Sequence, residues 1–286
     1  MKTKVKAVLS VPLIALAIAC GALLTASPQA GAQMAKSTIA IDGSTTVGPI
    51  AKAFAQYYMD AHPDVSITIS ETGSGDGARS LIAGRCDIAN MSRPMKAKEF
   101  KEAVENGSMP VAHVVAMDGI AMVVHPSNPV GELSVEQIHD IYTGKISNWS
   151  QLGGPNMPVV KISRDSSSGT YETFEKLVMQ KDEIKGAEYV QSNGQAHDRV
   201  ATTRAAIGYV GLGFVDREVK AVTVNGVEAN PRTVASGTYP IARPLFMWTD
   251  GYPKLGSPVH QFVTLHLSRD GQTIIEEIGF VPVTDY

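Results

Sequence analysis

Two cysteines are all that this 286-residue chain contains. One of them, Cys20, lies in an apolar N-terminal run, so loss of that run leaves Cys86 alone and excludes an intrachain disulfide. Stability must then come from packing, and the length suffices for one or two hydrophobic cores. An excess of positive charge is missing too: 25 Lys and Arg stand against 28 Asp and Glu, a net charge of −3. Such a chain has no global field with which to gather nucleic acid or anionic lipid, so any anion it binds must be held by local geometry. No G-x-S-x-G pentapeptide frames a serine nucleophile, which argues against a serine hydrolase and for a protein that is not an enzyme. The seven histidines show no paired ligand spacing, and His260 and His266, six apart on an expected helix, fall on different faces. No metal and no cofactor are expected.

What is present begins with a leader. Lys2, Lys4 and Lys6 open the chain, residues 7–24 are almost wholly apolar, and the small residues Ala30, Gly31 and Ala32 precede Gln33. This pattern predicts a cleaved export signal over 1–32 and a periplasmic or otherwise exported protein, in preference to a lipoprotein acylated at Cys20. Cleavage removes three lysines and no acid, moving the balance from −3 to −6.

After the leader, short apolar strands alternate with amphipathic helices, the pattern of an α/β fold. Strands are expected at 38–42, 65–70, 87–91, 159–162 and 238–248. Helices are expected at 47–59, 78–84, 96–107, 135–145 and 170–180, with one or two more over 257–279. Two stretches read as extended crossings between lobes: the apolar runs on either side of Asp118 and Gly119, and "AIGYVGLGFV" at 206–215. Two crossings imply a discontinuous first lobe, 33–118 with 216–286, and a second lobe, 119–215.

Four loops share one chemistry. "DGSTTVGP" (42–49), "ETGSGDGAR" (71–79), "NMSRPM" (90–95) and "SRDSSSGT" (163–170) each lie between an expected strand and an expected helix. All four offer uncharged donors, three of them combining glycine with hydroxyls, and the last two add Arg93 and Arg164. A single such loop can be an ordinary N-cap. Four at the carboxyl ends of strands in an open α/β sheet converge where ligands bind. Hydroxyls, backbone N–H groups and a guanidinium satisfy a tetrahedral oxyanion in every direction, and burying such an ion otherwise costs many kcal/mol.

In this order, "DGSTTVGP", "TGSGDGA", "DIANMSRPM", "RDSSSGT", "AIGYVGLGFV" and "YPIARPLFMW" resemble the substrate-binding protein of the bacterial phosphate ABC transporter, over nearly the whole chain after the leader. The resemblance implies a two-lobed periplasmic-binding-protein fold (type II). Each lobe is a mixed sheet flanked by helices, with a hinge of two crossing strands. It also implies a monomer that closes on inorganic phosphate and delivers it to a membrane permease. Carried over, Ser44, Thr45 and Thr46 match the first hydroxyl loop, Ser74 the second with Gly75 and Asp76 following it, and Arg164, Ser168, Gly169 and Thr170 the arginine and the Ser-Gly-Thr helix start. Members of the family carry an aspartate that accepts the proton of hydrogen phosphate where this chain has Ser92, followed by Arg93. Asp76 or Asp165 could supply a carboxylate in its place. Two other readings stay open: a binding protein for another tetrahedral oxyanion of the sulfate, tungstate or molybdate class, and a surface adhesin on the same fold.

Overall fold

Alternation of apolar and polar residues in β1 (Ser37–Gly43) turns Ile39 and Ile41 to one face, where both are buried. The structure, a computed structural model, describes residues 37–284; the expected leader over 1–32 lies outside the described residues. The other strands are β2 (Val65–Ser70), β3 (Ile88–Met91), β4 (Pro110–Val124), β5 (Glu132–Leu133), β6 (Val160–Arg164), β7 (Glu188–Val190), β8 (Ala206–Gly211), β9 (Lys220–Ala221), β10 (Thr223–Val224) and β11 (Ala242–Asp250). The helices are α1 (Gly48–Ala61), α2 (Ser74–Ile82), α3 (Ala97–Glu105), α4 (Val135–Thr143), α5 (Gly169–Phe174), α6 (Asn193–Thr202), α7 (Pro231–Ala235), α8 (Pro258–Val263) and α9 (Arg269–Glu277). None of these is long and apolar enough to cross a membrane.

Eight strands form a path in the order β2-β1-β3-β11-β4-β8-β6-β7, with β9 pairing off it to β4. The two apolar runs around Asp118 and Gly119 merge into the single 15-residue strand β4. Its first part pairs antiparallel with β11, up to Gly119 opposite Ala242, and its last five residues pair antiparallel with β8, from Ile120 opposite Gly211. One strand therefore belongs to two halves of the sheet, and Asp118 stands at the change of partner.

Each half has its own core. On one face of the first half, Ile39, Ile41, Ile50, Phe54, Leu245, Met247, Phe262 and Phe280 pack together; on the other, Leu81, Met91, Phe246 and Trp248 do so. The second half buries Val123, Ile141, Tyr142, Trp149, Ile162, Phe174, Ile207 and Tyr209. Residues 219–241 join this second core, because β9 pairs with the end of β4 and Val222, Val224, Val234, Tyr239 and Ile241 are buried there. The crossing at 206–215 is β8 followed by a tight 3-10 turn, Leu212–Phe214, and Phe214 touches the cores of both halves. The helix expected over 170–180 runs only to Phe174, after which a π-helical turn, Glu175–Met179, leads to Gln180 at φ 51°.

In the first half, buried His113 on β4 shares a hydrogen bond of 3.0 Å with Thr249 Oγ1. Burial pushes its imidazole down to about 4 from 6.5, with His266 and His260 adding to the effect. Below pH 6.5 the unfolded chain therefore takes up a proton that the folded chain refuses until about pH 4, so stability falls as the pH drops through that window. Chemical denaturation should show a loss of about 2 to 3 kcal/mol across it, largely absent in His113→Gln. An unchanged pH slope in that variant would remove His113 from the acid response.

Candidate anion-binding site

Strand ends place the hydroxyl loops together. Gly43 closes β1 at φ 129°, and a Cβ there would lie 2.2 Å from the Asn90 carbonyl oxygen, so only glycine lets the first loop pass so close to β3. Beyond it, the Ser44 Oγ accepts from the Thr46 N–H at 3.1 Å and the Val47 N–H at 3.4 Å, holding the loop at the start of α1. This fixes Thr45 and Thr46 side by side, both buried.

From the second half, Arg164 ends β6 with its backbone N–H donated to the Tyr209 hydroxyl at 3.1 Å. Its guanidinium Nη2 donates to the Gln191 carbonyl at 2.7 Å and to Thr45 Oγ1 at 3.2 Å, and Nε donates to the Val190 carbonyl at 3.3 Å. Thr170, in the first turn of α5, lies with its Oγ1 3.0 Å from that of Thr46. Ser168 caps the helix by accepting from the Tyr171 N–H at 3.2 Å. Gly169 faces Ser74 and Ser92: a Cβ there would lie 2.4 Å from Ser74 Oγ and 2.7 Å from Ser92 Oγ. These two serines are linked, Ser92 N–H donating to Ser74 Oγ at 3.0 Å and the hydroxyls lying 3.2 Å apart. The Gly75 N–H donates to the Ser167 carbonyl at 3.0 Å, joining the second and fourth loops directly.

Three further residues complete the cluster, and the sequence reading did not single them out as site residues. Asn193, first in α6, donates from Nδ2 to Thr46 Oγ1 at 2.9 Å and to Thr45 Oγ1 at 3.2 Å, while its Oδ1 accepts from the Gly211 N–H at 3.2 Å. Arg243, on β11 within the quoted motif "YPIARPLFMW", donates from Nη2 to Thr170 Oγ1 at 2.9 Å and to Thr46 Oγ1 at 3.3 Å. The same guanidinium is paired with the fully buried Asp118, Nε at 3.1 Å and Nη2 at 2.9 Å from Oδ2, and Asp118 Oδ1 accepts from the Leu212 N–H at 2.9 Å.

The electrostatics follow from burial. Desolvation pushes Arg164 down to about 10, with Arg243 adding to this and Tyr209 and Asp165 opposing it, so Arg164 stays a cation at neutral pH. Burial pushes the Asp118 carboxyl above the usual carboxylate range while Arg243 and the Leu212 N–H pull the other way. Two guanidinium groups and one carboxylate leave a positive surplus among Arg164, Arg243 and Asp118. Nη1 of Arg164 and Nη1 of Arg243 are both buried without a hydrogen-bond partner. Donors left in this way cost about 1 to 3 kcal/mol each unless an acceptor meets them.

Three residues that the sequence offered for the site have other partners. Asp76 is half-exposed and paired with Arg79 three residues on, within α2. Arg93 is gripped by Glu99, Nη1 at 2.8 Å and Nη2 at 2.7 Å, and lies 2.9 Å through Nε from Glu172. Asp165 accepts from Ser167, the N–H at 2.8 Å and the hydroxyl at 2.6 Å, and so shapes its own loop. Among the described residues, His197, Asp216 and Glu218 bring ligand-type atoms within 4.8 Å of one another. His197, however, has carboxylates on both ring nitrogens, Asp198 at 3.0 Å and Asp216 at 2.9 Å. Those hydrogen bonds raise its pKa against the pull of burial, the arrangement of a paired imidazolium.

The model of the PBP superfamily domain matches residues 28–269. Phosphate-binding protein PstS of Bacillus subtilis is 32% identical over 257 residues, covering 89% of this chain and 84% of that protein. The chain belongs to this PstS family of the PBP superfamily. Among solved structures, a putative phosphate ABC transporter substrate-binding protein from Clostridium perfringens, with bound phosphate, is 35% identical at a TM-score of 0.80, covering 87% of this chain and 100% of that one. An ABC-type phosphate transport receptor from Vibrio cholerae is 30% identical at a TM-score of 0.70, over 85% of this chain and 99% of that one. The family explains why the two halves face each other across the hydroxyl loops: this is the two-lobed periplasmic-binding-protein architecture, α/β in both lobes, with β4 passing between them.

Proposed function

We propose that this PstS-family protein captures inorganic phosphate between its two lobes, outside the cytoplasm, and delivers it to the permease of an ABC transporter. The observation that carries this reading is the pair of guanidinium groups, Arg164 and Arg243, whose Nη2 atoms meet Thr45, Thr46 and Thr170 from both halves of the sheet and whose Nη1 atoms are buried without a partner among the described residues. A tetrahedral dianion offers the acceptors those donors lack and balances the surplus charge. The N-termini of α1 and α2 open next to the same loops and favour the same sign of ligand. Relatives named for phosphate binding, and one solved with phosphate bound, support the same assignment.

In this reading Thr45, Thr46, Arg164, Thr170, Asn193 and Arg243 hold the anion, with Ser74, Ser92, Ser168 and Gly169 forming the adjoining wall. Ser44 shapes the first loop, and Arg93 and Asp76 act elsewhere. The lobes divide after residue 118 and near residue 241, since 219–241 pack in the second core. The protein is exported by its leader and works as a monomer. In this reading it is a carrier and not an enzyme, which the relatives named for phosphate binding support.

One observation favours a broader oxyanion range. Asp118, the carboxylate buried in the cluster, spends both oxygens on Arg243 and Leu212, so it does not offer an acceptor with which to repel fully ionised sulfate. Calorimetric titration of residues 33–286, freed of bound anion, separates the readings. Phosphate should bind with sulfate weaker. Equal binding would assign a general oxyanion site, and silence with both would sink the transport reading.

A further inference from the structure

Beside the anion site lies a second set of charges that the anion does not need. Arg93 follows β3 in the first lobe and is held there by the two-oxygen grip of Glu99, whose Oε2 also accepts from the Lys96 N–H at 2.8 Å. Glu172 comes from the other lobe, in the first turn of α5, two residues after Thr170. Its Oε2 sits between two cations of the first lobe, 2.9 Å from Arg93 Nε and 2.8 Å from Lys96 Nζ. The Arg93 and Glu172 side chains are only 6% and 14% exposed, so this contact is largely withdrawn from solvent and weakly screened.

The asymmetry of the cluster decides what it can do. Arg93 is bound to Glu99 within its own lobe, so separating the lobes does not strip it of charge compensation. Among the described residues Glu172 has no such second partner: its other oxygen, Oε1, is buried without a hydrogen bond, and the cations that meet its charge lie across the gap. Moving α5 away from β3 would break both contacts of Glu172 together, and the same movement would separate Thr170 from Thr46.

We propose that Glu172, with Arg93 and Lys96, is an inter-lobe latch that sets how long the closed protein holds its anion, without touching that anion. The latch rests on the phosphate reading above for its kinetic consequence. Its effect on lobe closure does not depend on the identity of the ligand.

The test uses residues 33–286 as wild type, Glu172→Gln and Lys96→Met. By stopped-flow chase, inorganic phosphate should leave Glu172→Gln about tenfold faster, as expected when a shielded charge contact that governs dissociation is lost. Its ratio of phosphate to sulfate affinity should not change. Raising the salt concentration should speed release from wild type modestly, by screening the exposed Lys96 ammonium, and leave both the Gln and the Met variants nearly unaffected, a response that mere loss of packing would not produce. Lys96→Met, at an exposed position, should act in the same direction more weakly and add little in the double variant. Small-angle scattering without phosphate supplies the ligand-independent arm, with Glu172→Gln expected to show a larger radius of gyration than wild type. An unchanged release rate in the Gln variant overturns the latch, as does a changed phosphate to sulfate ratio. If wild type binds no phosphate, the phosphate reading fails, and an unchanged radius of gyration in Glu172→Gln overturns the latch independently.

Discussion

Arg164→Ala should lower phosphate affinity by about 2 to 5 kcal/mol, roughly 30-fold to several thousandfold, as for truncating one member of a buried charge contact. Arg164 is 1% exposed, its Nη2 already ties Thr45 of the opposite lobe, and its Nη1 has no partner among the described residues. Alanine therefore removes a charge and a donor from the anion, and one lobe-to-lobe hydrogen bond as well. Lysine at this position should recover only part of the loss, because a single ammonium cannot serve the Gln191 carbonyl, Thr45 and the anion with the fixed fork of a guanidinium. Calorimetry on a variant shown to be folded by its thermal transition is the decisive measurement. Wild-type affinity in Arg164→Ala would refute the site.

Asp118→Ala should produce the largest loss of stability, about 3 to 5 kcal/mol, because it strands a buried arginine without its carboxylate. Arg243 is 4% exposed and donates twice to Asp118 Oδ2, and Oδ1 is the acceptor for the Leu212 N–H at the second crossing. Both lobes meet at this point, since Asp118 precedes the change of partner on β4 and Leu212 follows β8. Asp118→Asn should cost less, because an amide oxygen can still accept from Leu212. The deficit should shrink in saturating phosphate, which supplies Arg243 with a substitute anion and stabilises the native state by mass action. Urea denaturation with and without phosphate measures both effects. A deficit indifferent to phosphate would show that Arg243 does not face the ligand.

These effects cluster on residues that differ in how visible they were in the sequence. The strand-loop-helix rhythm was legible because β1 and β2 alternate with period two and α1 carries a wide apolar stripe, Ile50, Ala51, Phe54, Ala55 and Tyr58. The hydroxyl loops were legible for the same reason: turn residues between apolar runs mark the strand ends, where an α/β sheet gathers its ligands. Arg164 could be found because it lies in such a loop. Asn193 could not, since α6 buries little besides Ala196, His197 and Val200, and its weak stripe left the helix unread.

Arg243 and Asp118 lie inside strands, and local pattern treats a strand charge as an outward-facing residue. Only the antiparallel pairing of β4 with β11, which sets Arg243 opposite Asp118, turned both inward and made one the partner of the other. The packing of 219–241 in the second core likewise depends on β9 finding the end of β4, a pairing between residues about a hundred positions apart. Arg93 makes the same point from the other side, because its charge and loop position suited an anion, while Glu99 accepts from both its Nη atoms and Glu172 adds a second carboxylate 2.9 Å from its Nε. The sequence alone determined the class of fold, the place of the cleft and the kind of ligand, because these follow from local periodicity and from which groups can replace water around an oxyanion. Which charges face that ligand was decided by tertiary structure, since a buried charge is defined by its partner, and here the partners come from distant strands and helices.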